Sequence, residues 1–124
     1  MNTKTRNKLS EMKKEVNRLQ ERRKGYERIM MREAPMVAAS LLCRKIGDTD
    51  REMYVLSGSA NGESVHRYVR KEELERWRIR AENWRKFSRA MAEWVKTGKE
   101  IEKKLRGIGR MRCERMPGKR IDRE

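Results

Sequence analysis

Side chains with the chemistry for catalysis or metal binding are few in this chain and badly spaced for it. His66 is the single histidine and falls inside a predicted strand, with no cysteine, serine or carboxylate at motif distance. Ser57, Ser59 and Ser64 sit in turn-like surroundings, and none occupies a nucleophile-elbow pattern. The glycine-bounded run Gly58 to Gly62 is too short to cradle a phosphate and leads into no helix. Asp48 and Asp50 are placed as an acidic turn, and Cys43 and Cys113 lack the paired spacing of a zinc site. No nucleophile, base and oxyanion site come together. The expectation is a protein that is not an enzyme, holds no cofactor and no metal, and keeps free thiols in a reduced, cytoplasmic setting.

Cations, by contrast, are abundant. The 124 residues carry 34 Lys and Arg against 19 Asp and Glu, a net charge of +15 that opposes compaction and would be relieved by a polyanion. Hydrophobic residues are only 35% of the chain, enough for a narrow seam but not for a thick core. The candidate phosphate-binding residues are Arg22, Arg23, Lys24 and Arg28 in the first half of the chain. In the second half they are Arg76, Arg78, Arg80, Arg85, Lys86, Arg89, Lys96, Lys99, Lys103 and Arg106, followed by Arg110 and Arg112. Arginine predominates, and its planar fork donates two parallel hydrogen bonds to a phosphate. Such contacts position a backbone without reading sequence, so binding is expected to be salt-sensitive and led by shape. Pairs one helical turn apart, such as Glu100 and Lys104, neutralise part of the charge but not the surplus.

Four segments must position these residues. Thr3 to Glu33 repeats apolar residues at Leu9, Met12, Val16, Leu19, Tyr26 and Met30, with Arg23 in the one missing place. That three-and-four spacing predicts a helix with a heptad seam, ended by Ala34-Pro35. Met36 to Arg70 predicts an antiparallel three-stranded meander, its runs Val37–Cys43, Met53–Leu56 and Val65–Val69 parted by turns at Gly47-Asp48-Thr49-Asp50 and Gly58–Gly62. Lys71 to Arg106 predicts a second long helix with Glu72, Glu73 and Glu75 in its first turns. Its apolar face is read as Leu74, Trp77, Ala81, Trp84, Phe87, Met91, Trp94, Val95, Ile101 and Leu105. Gly107 to Glu124, with Gly107, Gly109, Pro117 and Gly118 among Lys119, Arg120 and Arg123, reads as a basic flexible tail. The fold class is therefore α+β: two long helices flanking a small meander as one domain over 1–106, then the tail over 107–124. Trp77, Trp84 and Trp94 are expected in the packed stripe, whereas Tyr54 and Tyr68 on adjacent strands are the candidates for an exposed aromatic platform. Both seams suit further helical partners, so a homo-oligomer is expected.

The stretch Arg67-Tyr68-Val69-Arg70-Lys71-Glu72-Glu73-Leu74 and the run Glu82-Asn83-Trp84-Arg85-Lys86-Phe87 resemble a family of small uncharacterised prokaryotic basic proteins, some encoded near transposase genes. In that family a strand ending in RYV leads into a long helix containing an EN-aromatic-R-x-aromatic run. The resemblance covers about 36–105 and implies the strand-to-helix architecture and a link to mobile elements. The chain departs from the family in keeping only Cys43 where many relatives carry a cysteine cluster, and in having Arg70 where proline is common.

These observations converge on a nucleic-acid-binding accessory protein, possessing Arg- and Lys-rich helices and a tail that clamp phosphates within a ribonucleoprotein or nucleoprotein complex. Structured RNA is preferred to DNA, because no recognition-helix motif or half-site arrangement is visible. The alternatives are a helical adaptor that binds a partner protein through its heptad seams, and a nuclease with an unrecognised site. No membrane partner is expected, since no apolar run approaches the roughly 20 residues needed to span a bilayer. Met1 to Arg6 has no apolar region behind it, so no signal peptide is expected either.

Overall fold

The computed structural model of the protein describes residues 2–48 and 50–118. Helix α1 (Thr3–Met30) is followed by strands β1 (Ala39–Lys45), β2 (Glu52–Ala60) and β3 (Glu63–Val69). One 3-10 turn (Lys71–Glu73) then leads into helix α2 (Leu74–Arg112). The class is α+β, with a three-stranded antiparallel sheet and two long helices. The chain divides into two compact units, one formed by residues up to Lys24 with those from Trp94 onward, the other by Gly25–Glu93.

The first unit is an antiparallel helix pair. Its buried cluster is Leu9, Val16 and Leu19 from α1 with Ile101 and Ile108 from α2, and Met12 and Met111 pack against it. Each buried aliphatic contributes about 2 kcal/mol. The direction follows from the neighbours: Gly98 lies against Arg23, Lys104 against Glu15 and Gly107 against Met12, so α2 numbers rise as α1 numbers fall. On α1 the seam is the one the heptad predicts. On α2 it is Trp94, Thr97, Ile101, Lys104, Ile108 and Met111, with Thr97 only 3% exposed. Val95 and Leu105, expected inside, are instead exposed.

Gly107–Arg112 was expected to begin the flexible tail, yet it forms the last turns of α2, with Cys113 N–H donating to the Gly109 carbonyl at 3.1 Å. Burial of Ile108 and packing of Met111 outweigh the roughly 1 kcal/mol that each helical glycine costs. Of the expected tail cations, Lys119, Arg120 and Arg123 lie outside the described residues.

The second unit holds the sheet, in the order β1-β2-β3. Asn61 and Gly62 connect β2 to β3 with φ of 54° and 81°, the positive pair that a two-residue hairpin turn requires. The turn is shorter than expected because Gly58 is not part of it. Gly58 lies within β2 opposite Ala39, and a Cβ there would stand 2.7 Å from the Ala38 carbonyl oxygen, so only glycine permits that approach. Consecutive residues Val55 and Leu56, on opposite faces of the central strand, are both buried. The linker before β1 is tied to α2: Val37 N–H donates to the Arg80 carbonyl at 3.2 Å, and Asn83 Nδ2 to the Pro35 carbonyl at 3.0 Å.

The register sorts the strand side chains into two faces. One face carries the rows Ser40, Ser57, His66 and Leu42, Val55, Tyr68, together with Arg44, Met53, Ser59 and Ser64. The other carries Leu41, Leu56 and Arg67, Cys43, Tyr54 and Val69, and both strand carboxylates, Glu52 and Glu63. Tyr54 and Tyr68 therefore point to opposite sides, and the shared aromatic platform expected of them does not form.

Candidate nucleic-acid interface

In the first unit the structure brings five of the sequence-named cations into one line. Lys96, Lys99, Lys103, Arg106 and Arg110 recur at intervals of three and four along α2, and all are exposed. They run two residues behind the seam positions Trp94, Thr97, Ile101, Lys104 and Ile108, which sets them on the outward side of the helix. The line is about 21 Å long at 1.5 Å per residue. Over 94–112, seven Lys and Arg face two Glu, and neither Glu100 nor Glu102 falls on the line. Arg106 alone among the five forms an ion pair within the described residues, to Glu102 at 2.7 Å.

The remaining candidates of this unit are placed otherwise. Arg23 lies over the Trp94 ring, its Cζ 4.0 Å from the centroid, and its Nε is buried with no hydrogen-bond partner. Its guanidinium is committed to packing rather than presented to a ligand. Arg22 and Lys24 are exposed on α1, and Lys24 reaches Glu21 at 3.5 Å. Arg112 lines a shallow cleft with Arg6 and Lys13, two cations the sequence reading left out of the site. Lys104 does not bond Glu100 as expected; its ammonium bonds the Glu15 carboxylate at 2.7 Å and holds that carboxyl below its ordinary range.

In the second unit the candidates divide into pairs. Arg76 and Arg80 flank the Trp77 ring at 5.3 and 5.7 Å. Arg78 is paired with Glu75, which raises the guanidinium further above its ordinary range, and Arg85 pairs with Glu82 at 2.9 Å. Lys86 and Arg89 line a cleft with Arg32, Tyr26, Ile29 and Glu93; Arg32 was not among the expected residues and follows the end of α1. Arg28 is exposed. Trp84, expected in the core, is 36% exposed and stacks on Phe87 with centroids 5.9 Å apart.

His66 is exposed, and both cysteines are free and exposed. Among the described residues no group of three His, Cys, Asp or Glu side chains could hold a metal ion, and no helix is long and apolar enough to cross a membrane. No family model, curated protein or solved structure matches the chain.

Proposed function

We propose that the protein binds nucleic acid by laying the outward line of α2 along a phosphate backbone. The observation that carries this reading is the line itself: Lys96, Lys99, Lys103, Arg106 and Arg110, with four of the five free of any ion pair among the described residues. Exposed helical cations that serve only solubility are usually interleaved with carboxylates, as α1 is with Glu11, Glu15 and Glu21. A one-sided stripe in a stretch where cations outnumber acids seven to two is an anion track. Its contacts are to backbone rather than base edges, so it positions without specifying. The preference for structured RNA over DNA belongs to the same reading, as do the second helix arms around the sheet and a basic tail after α2 that orders on the polyanion. An accessory role beside a mobile element, as a homo-oligomer within a nucleoprotein complex, completes it. The adaptor alternative is weakened because the α1 seam over residues 9–19 is already filled by Ile101 and Ile108.

The test is the salt dependence of binding to an RNA hairpin and to duplex DNA, for the wild type and for Lys96→Gln/Lys99→Gln/Lys103→Gln. The wild type should give a steep fall of log K against log salt. The triple variant should lose about two to three units of that slope, at roughly 0.7–0.9 per phosphate neutralised. An unchanged slope would remove the α2 line from the interface.

A further inference from the structure

The sheet face that bears Tyr68 differs in chemistry from its opposite. None of its strand residues is a carboxylate, since Glu52 and Glu63 both fall on the other side. Tyr68, the last residue but one of the edge strand β3, is 75% exposed opposite Val55. His66, two residues earlier on the same strand and face, is exposed as well, and so is Arg44 on β1. The serines Ser40 and Ser57 complete the row with His66 and offer hydroxyl donors and acceptors.

We infer that this face is a base-stacking site for single-stranded nucleic acid, with Tyr68 as the principal ring and His66 as the second. Rings two residues apart on a strand stand about 6.6 Å from each other. That spacing suits a strand whose bases are splayed out and taken one by one, not a continuous duplex stack. With no carboxylate among the strand residues of this face, repulsion of phosphates is reduced, and Arg44 supplies a local countercharge. A protein partner would ask for a wider apolar patch: Val55 is buried at 2% exposure, and only Leu42 and Met53 accompany Tyr68. The inference rests on the nucleic-acid reading above but not on the α2 line.

The experiment titrates the full chain, Tyr68→Ala and Tyr68→Phe with three polymers of equal length: a single strand carrying 2-aminopurine, the same strand with abasic sites, and a duplex. The wild type should prefer the strand to its abasic form and quench the probe. Tyr68→Ala should lose about 5- to 100-fold on the strand alone, the usual effect of removing one stacking ring, while Tyr68→Phe keeps the affinity. Equal affinity of the wild type for strand and abasic strand, or an equal loss on all three polymers in Tyr68→Ala, overturns the stacking site and leaves the backbone reading standing. A wild type that binds none of the three overturns both.

Discussion

Arg23 occupies a seam position where every other α1 member is apolar, and its chemistry is split between two opposed terms. The guanidinium over Trp94 contributes about 1–2 kcal/mol when shielded from water, whereas the unpartnered buried Nε costs about 1–3 kcal/mol. These nearly cancel, so Arg23→Met should change unfolding free energy by less than about 1 kcal/mol in denaturant titrations. Trp94→Ala should cost about 2 kcal/mol, below the range for a fully buried ring. The sequence made Arg23 legible as the gap in a heptad, but not as a packed residue, because nothing local reveals Trp94 across the helix pair. Glu15 gives a pH test. The Lys104 ammonium depresses its folded value, so the contribution is present above the unfolded carboxylate range and is lost as pH falls through the folded value. Glu15→Gln should flatten the acid limb of stability against pH; an identical limb would mean that Lys104 does not couple to folding.

The helix ends offer a test at the next scale. Gly109 lies in the final turns of α2 with open space where a Cβ would stand, so Gly109→Ala should raise stability by about 1 kcal/mol. Gly107→Ala should gain less, because the new Cβ would stand 3.0 Å from Met12 Cε. Were these residues a mobile tail, neither change would register in thermal unfolding. Gly98→Ala meets the Arg23 guanidinium at 3.1 Å, so it should gain stability only when combined with Arg23→Ala. Legibility was uneven across elements. The α1 seam and the existence of the β2–β3 hairpin were readable because heptad spacing and the run Gly58–Gly62 are local signals, although Gly58–Ala60 belong to the strand and only Asn61 and Gly62 to the turn. The α2 seam was misassigned along its length: Trp84, Met91, Val95 and Leu105, expected inside, are exposed, while Thr97 and Lys104 occupy the seam. Strand parity, which separates Tyr54 from Tyr68, depends on a register that residue types alone do not fix. Of the candidate interface, the five-residue line was present in the list of cations but undistinguished from its paired neighbours, because ion pairing is decided by rotamer and by partner helix.

For the molecule as a whole, a net charge of +15 should make stability depend on the counterions present. Added salt screens the self-repulsion, with a Debye length of about 8 Å at physiological ionic strength. A polyanion that binds only the folded form should act more strongly: at one hundred times its Kd it adds about 2.7 kcal/mol. Calorimetry at low salt should therefore show a raised Tm with heparin or RNA, and a smaller rise for Lys96→Gln/Lys99→Gln/Lys103→Gln. The order in which the antiparallel pair is made has its own consequence. The α1 seam finds its cover in α2 residues from Trp94 onward, so residues 25–93 must be synthesised in between. At roughly 5–20 residues per second, Leu9, Val16 and Leu19 wait about 4 to 20 seconds on the ribosome for Ile101 and Ile108 to be added. Nascent chains halted before Trp94 should thus be open to protease across α1, and those released past Met111 should be closed.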